Sequence, residues 1–504
     1  MSAVPLLSCA IWLPIAAGLL VLAAGLAGNA PLARKFALFG AAAGLFVAAP
    51  LYFGFDVTTP AMQFVESKPW IPLFRINYHL GVDGLSAAFV MLNCFITLIV
   101  VFGSRVSSQK YAPSCDAVFL VMSGLFNGIF SALDGMLFYV FFEASLIPLY
   151  LLIGIWGGPG RVRAAFKFFL FTLMGSLPLL VAMIYLFFYS GGNFSIAAWH
   201  LMPIDKVSQT WVFFAFFMAF AVKTPMWPLH TWLPEAHVEA PTGGSIVLAA
   251  IALKLGAYGF LRLALPVVPD ASREFAWIMV ALSLAAVVYI GLVALAQMDM
   301  KKLVAYSSVA HMGFVTLGIF MLEAPGGASA ASSALGIEGA LIQMISHGFV
   351  AGAMFFCIGV LYERTHSRQI ADYGGITRAM PKFAVFFMLF SMANIGLPGT
   401  SGFVGEILVI LSAAEYNYGV AFVAASTLIL SAAYTLWMYK RVMFGPVTNP
   451  AVAALNDIDV REFLVLSLLA LGVLGIGLYP RSLSEIMRLS VSELLRHIAI
   501  SKVF

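Results

Sequence analysis

Run after run of about twenty apolar residues fills this chain, with short polar loops between them. No other feature constrains the fold so tightly. In hydrocarbon a chain must satisfy its own backbone hydrogen bonds, and a helix does so within one segment. The composition agrees: 62% of the 504 residues are hydrophobic and 10% charged, more apolar surface than a soluble core can bury. The expected class is an all-α polytopic membrane protein with about 14 transmembrane helices. The spans fall at roughly 5–27, 33–54, 83–103, 115–133, 135–156, 164–190, 210–234, 243–266, 274–296, 301–322, 335–362, 380–412, 416–444 and 460–480. The first lacks a basic leader and reads as a retained helix rather than a cleaved signal.

The loops carry an orientation signal. Arg34, Lys35, Arg105, Lys110, Arg161, Arg163, Lys167, Lys301, Lys302, Arg364, Arg368, Arg378, Lys382, Lys440, Arg441 and Arg461 fall on one side. The opposite loops between helices hold only Lys68, Arg75, Lys206 and Arg273. The rich side is expected to be cytoplasmic, which puts both termini outside, in the periplasm of a bacterium. The longest outer loop, 56–82, mixes prolines with β-formers and predicts a short surface hairpin. Asp83 in GVDGLS reads as a helix cap.

Charges inside the spans are the exception that calls for a reason. In the stretch KTPMWPLHTWLPEAHVEAPTGGSIVLAAIALKLG, Lys223 stands about 20 Å into the seventh span and Lys254 about 17 Å into the eighth. Each costs roughly 2.5–3.5 kcal/mol on insertion scales. A lysine near a helix end can snorkel to the headgroups, but these two sit in the middle third of the membrane. A proton or cation path is the better reading. Glu143, roughly 13 Å into the fifth span, has the same standing, and an ion pair with a lysine elsewhere in the bundle is the economical arrangement. His311 and His347 lie in apolar spans; they read either as satisfied core residues or as relays that titrate near neutral pH. His230 follows Pro225 and Pro228, where unwound backbone can admit water. His237, with Glu235 and Glu239, is expected at a cytoplasmic mouth.

LPGTSG breaks the twelfth span, and Glu406 follows it. The seventh and twelfth helices are thus both broken beside an ionisable residue, the pattern of two inverted five-helix repeats. The expected organisation is an N-terminal part at 1–114, a first repeat at 115–266, an inverted second repeat at 274–444, and a last span with an amphipathic tail at 445–504. In the tail, Ile486, Leu489, Leu494 and Ile498 mark an apolar face for the outer surface or a partner. Cys9, Cys94, Cys115 and Cys357 are scattered and form no metal-binding pattern, and no nucleotide motif is visible.

FFEASLIPLYLLIGIWGG, the Lys223–Lys254 stretch extended to GAYGFLR, QMISHGFVAGAMFFCIGVLYERTHSRQI and NIGLPGTSGFVGE resemble the antiporter-like subunits of respiratory NADH dehydrogenase, complex I. The resemblance runs from about Gly81 onward. Glu406 favours the chain M branch, since the sister chains L and N usually carry lysine there, and the end of the chain soon after the fourteenth span leaves out the lateral helix of chain L. The resemblance implies proton translocation driven by electron transfer from NADH to quinone in other subunits. It implies Glu143 and Lys223 as a coupling ion pair, Lys254 as central relay, His311 and His347 as links, and Glu406 as the lateral or exit-side acid. It implies a non-redox subunit with no cofactor of its own, with NAD(H), FMN, iron–sulfur clusters and quinone in partner subunits, and with chains L and N and lipids as neighbours. Two rival readings share many of these motifs: the D chain of a multicomponent sodium/proton antiporter and the membrane arm of an energy-converting hydrogenase. The loop at 323–339 looks longer than the family needs and is expected to be without functional effect.

Overall fold

A computed structural model gives the fold and describes residues 4–103, 112–322, 329–447 and 449–503. Two of the loop cations, Arg105 and Lys110, lie outside the described residues, as do residues 323–328 of the small-residue loop. The protein is an α-helical polytopic membrane protein: among the described residues, 11 helices are long and apolar enough to cross a membrane. The chain divides into two compact units.

The first unit comprises Met1–Thr224, Ile251–Phe275 and Glu485–Phe504. The helices Leu6–Leu26 and Ala112–Ser131 pack backbone to backbone, because Gly124 faces Ile11: a Cβ there would lie 2.3 Å from the Ile11 carbonyl oxygen. Small residues at such contacts suit lipid, where no hydrophobic force drives helices together. Polar side chains add to the contact. Asn127 Nδ2 donates to Ala10 O at 2.9 Å, and Asn93 Nδ2 to Asn127 Oδ1 at 2.8 Å. The outer loop forms the expected antiparallel hairpin, Gln63–Ile71 paired with Ile76–Val82. Glu66 ties it to the first helix by accepting from Leu7 N at 2.8 Å. Asp134 and Asp205 cap the helices that start at Gly135 and Lys206.

The tail forms one amphipathic helix, Arg481–Ala499. Ile486, Leu494 and Ile498 are buried, so this chain itself covers much of the apolar face. Lys502 fixes the end: its Nζ donates to Trp199 O and Pro266 O at 2.8 Å and to Val267 O at 3.0 Å.

The second unit comprises Pro225–Ala250 and Ala276–Ser484. Its core is the pair Met300–Phe320 and Ala330–Thr365, both almost wholly buried. The latter has 36 residues, or about 54 Å, well beyond one membrane thickness. It starts inside the stretch that the sequence suggested as loop, because Ser329 caps it through Ser332 N. Near its other end Arg364 makes a two-point contact with Glu462, at 2.9 and 2.7 Å. Glu462 in turn closes a capping box with Asp459 at the start of Val460–Leu478. Lys301 is one of the loop cations of the sequence reading. It is buried and donates to Ala240 O at 2.6 Å, just past the end of the helix Trp232–Glu239, where carbonyls lack partners.

Candidate functional site

In the first unit, Glu143 sits at the end of the helix Gly135–Ala144, where the chain steps at Ser145 into Leu146–Trp156. It is half-buried, near the Ser176 hydroxyl and within electrostatic reach of Lys223. Lys223 is the last residue of Lys206–Lys223 and is 2% exposed. Its Nζ has no hydrogen bond and lies 4.8 Å over the Phe142 ring. The two charges therefore sense each other without a hydrogen bond between them. Beyond Lys223 the helix stops at Thr224, and regular helix resumes at Trp232.

Lys254 is completely buried. It opens a six-residue α-helical piece, Lys254–Gly259, held between two π-helical turns, Leu248–Ala252 and Phe260–Ala264. Such turns widen a helix locally and are frequent at functional sites. Nothing in the sequence pattern marked them. Eight residues on, Arg262 is buried as well and pairs with Asp83 at 2.5 Å. Near the end of a span an arginine reads as a snorkelling residue, so the sequence reading missed it. Asp83 does accept from Leu85 N as a capping residue would, at 3.1 Å, but it also holds this ion pair.

In the second unit, His311, Gln343 and Glu406 converge from three helices. His311 Nδ1 is 3.2 Å from Glu406 Oε1; Gln343 Nε2 is 3.1 Å from the same oxygen and 3.4 Å from His311 Nδ1. One proton decides this geometry. With a hydrogen on Nδ1, His311 donates to Glu406; without it, Nδ1 accepts from Gln343. His347 places its ring 5.8 Å from that of His311. Glu406 Oε2 has no hydrogen-bond partner. It lies against Gly396, the left-handed residue (φ +84°) that ends Pro381–Ile395 before Ser401–Tyr416 begins. A Cβ on Gly396 would stand 2.7 Å from that oxygen, so the interruption makes room for the carboxylate.

A neighbouring hydroxyl cluster was not foreseen either. Tyr434 OH is 3.0 Å from Ser307 Oγ, and Asn394 Nδ2 donates to Ser307 Oγ at 3.3 Å and to Thr435 Oγ1 at 3.0 Å. Ser307 is one turn from His311 on the same helix. Neutral residues such as Gln343 and Tyr434 carry no depth signal in a sequence, because burying them needs only a partner.

His230 is buried, its ring 6.4 Å from that of Tyr306. His237 is completely buried and stacks on Phe355 at 4.6 Å. The helix Trp232–Glu239 turns it inward. Among the described residues no group of three His, Cys, Asp or Glu could hold a metal ion, and the four cysteines are unpaired.

Dry, ionisable groups inside long apolar helices define a polytopic membrane protein with charge buried in its interior. Residues 132–431 match the family described as "NADH:quinone oxidoreductase/Mrp antiporter, TM". The NADH-quinone oxidoreductase subunit M of Rhodobacter capsulatus is 46% identical over 98% of this chain and 96% of its own length. A chain of the respiratory complex I of Thermus thermophilus aligns with a TM-score of 0.87 at 31% identity, over 98% of this chain and 99% of that one. A chain of the Mrp complex of Dietzia sp. DQ12-45-1b shares the fold, with a TM-score of 0.83 at 20% identity over 99% and 100%. The chain belongs to the NADH:quinone oxidoreductase/Mrp antiporter membrane family. Within it, the protein is an antiporter-like membrane-arm subunit of NADH:quinone oxidoreductase, part of the proton-translocating respiratory complex I. It is a multi-pass inner-membrane protein that works in a multi-subunit assembly.

Proposed function

We propose that this chain itself carries protons, along Glu143, Lys223 and Lys254 in the first unit and His311, His347 and Glu406 in the second, with His230 and His237 on an approach path. The observation that carries the reading is dryness: Lys223, Lys254, His311, His347 and Glu406 are each 4% exposed or less. Ionisable groups at such cost are kept in membranes for transport. Glu143 holds Lys223 electrostatically while it is charged. A charge with no hydrogen bond of its own responds to small shifts of its partner. A change in that pair alters the field in which Lys254 binds its proton. In the second unit the amide of Gln343 and the carboxylate of Glu406 offer His311 alternative partners, one for each state of Nδ1.

The finer architecture in this reading has fourteen crossings. The eleven long helices are joined by Ala87–Gly103, by Lys206–Lys223 with its continuation to Glu239, and by Pro381–Ile395 with Ser401–Tyr416. The last two are the broken seventh and twelfth helices of inverted five-helix repeats at 115–266 and 274–444. The loop cations favour both termini in the periplasm of a bacterium. The sister chains L and N are the proposed neighbours. Redox chemistry is left to partner subunits with NAD(H), FMN, iron–sulfur clusters and quinone.

The test uses assembled complex in sealed membranes, with proton uptake measured per NADH oxidised. Lys254→Met and Glu406→Gln should each assemble and lose most proton uptake. Wild-type uptake in both would exclude this chain from the proton path.

A further inference from the structure

We propose that Asp83, Arg262 and the aromatic cluster around Tyr258 form an insulating plug, which stops protons on Lys254 from exchanging directly with the membrane face at the Val267 end of the helix. The inference rests on the reading of Lys254 as a proton carrier and concerns where its proton cannot go.

Lys254, Tyr258 and Arg262 follow one another at intervals of four residues, which puts Arg262 roughly 12 Å further along than Lys254. The space between is walled by rings. Phe130 stacks on Phe89 at 5.2 Å and meets Tyr258 edge-on at 5.2 Å; all three are 1% exposed or less. Tyr258 OH donates to Phe130 O at 3.0 Å and accepts from Arg262 Nε at 3.1 Å. Its hydroxyl is therefore committed on both sides. Close-packed rings with satisfied polar atoms leave neither room nor partners for a water chain.

Past the rings stands a fixed cation. Guanidinium does not give up its proton in this range, so Arg262 cannot relay one. It repels any hydronium that approaches through low-dielectric surroundings, as arginines do in pores that exclude protons. Asp83 holds it in place and is itself held by Leu85 N at 3.1 Å and Ser86 Oγ at 3.2 Å. Stability alone is a poor reason for such a pair, since a buried ion pair is often no better than apolar residues of the same volume.

The plug is roofed. Gly84 lies under the tail helix so closely that a Cβ on it would meet the Ile486 carbonyl oxygen at 2.0 Å, and Gly84 N donates to Ser490 Oγ at 2.9 Å. Arg262 O is 3.0 Å from His200 Nε2, and Lys502 closes over the carbonyls of Trp199, Pro266 and Val267. Ion pair, rings and tail thus close one end of the Lys254 helix in succession.

The experiment is passive proton leak. Wild-type and variant complexes are assembled into liposomes, a pH gradient is imposed without NADH, and its decay is followed with an entrapped dye. Arg262→Ser, which opens a wettable space beside Asp83, should speed the decay several-fold, and adding Lys254→Met should restore tightness. Phe130→Ala, which opens the ring wall, should leak in the same Lys254-dependent way and serves if Arg262→Ser does not assemble. Wild-type decay in the assembled opening variants would overturn the plug, as would a leak indifferent to Lys254→Met. Lys254→Met alone pumping normally would instead overturn the proton-path reading, so the two failures are distinct.

Discussion

Gln343 reaches from the middle of a buried helix to hold Glu406, its amide nitrogen 3.1 Å from Oε1. The same nitrogen lies 3.4 Å from His311 Nδ1, so one neutral side chain touches both ionisable partners. Gln343→Leu should leave the complex assembled, since leucine fills a similar volume, and should slow proton uptake. A hydrogen bond to a charged group contributes about 1.5–3 kcal/mol, or roughly a tenfold change and upward. Uptake per NADH in membrane vesicles measures it; an unchanged rate would make Gln343 only a packing residue.

Lys254 separates a mobile proton from a fixed charge. Lys254→Arg keeps the positive charge but cannot release a proton. It should assemble and fail to pump, as Lys254→Met does, with NADH oxidation slowed through coupling. Wild-type pumping by Lys254→Arg would leave Lys254 as a fixed charge alone.

Glu143 acts on Lys223 through charge rather than a hydrogen bond. Glu143→Gln, which keeps the shape and removes the charge, should abolish most coupled uptake, whereas Glu143→Asp should retain part of it. Equal uptake in the two variants, normalised to assembled complex, would contradict an electrostatic role.

Gly396→Ala tests the interruption beside Glu406. It places a methyl in a left-handed position, costing roughly 1–2 kcal/mol, and brings it against Glu406 Oε2. Lower assembled yield together with impaired uptake is expected. Thermal stability of the purified complex and the proton assay read the two effects separately.

His200, outside the membrane spans, gives a pH dependence. Burial, with the neighbouring charges of Arg262, His497 and Lys502, pushes its imidazole down to about 3. An unfolded histidine titrates near 6.5. The local fold is therefore most stable above about 6.5 and loses stability as pH falls from there towards about 3. At pH 5 the loss is on the order of 2 kcal/mol at most, reduced by the partial exposure of the ring. Hydrogen exchange at 196–203, corrected for intrinsic rates, should rise between pH 7 and pH 5 in the wild type and rise less in His200→Gln.

The sequence made much of this legible because membrane physics leaves so few options. Lys223 and Lys254 stood out by depth alone, and the β-formers around Phe74 and Tyr78 pointed to a hairpin that the structure contains. Arg262 and Lys301 were lost for a common reason: near a span end, a cation on a long stem reads as solvent-facing, and only tertiary partners such as Asp83 or Ala240 O reveal otherwise. The π-helical turns around Lys254 depend on side-chain packing and leave no periodic trace. The burial of His237 left no trace either, because a histidine between two glutamates looks wet and the stacking surface of Phe355 is far away in the chain.

The unbroken helix Ala330–Thr365 carries Gln343 and His347 along its length and Arg364 near its end. Arg364 is locked to Glu462, and Gln343 must meet Glu406. Both contacts fix the angular phase of one rod. A single residue inserted between them would rotate one end by about 100° relative to the other and take either the clamp or the acid out of alignment. The spacing of 21 residues between Gln343 and Arg364 should therefore resist single insertions and deletions far more than any loop of this protein does.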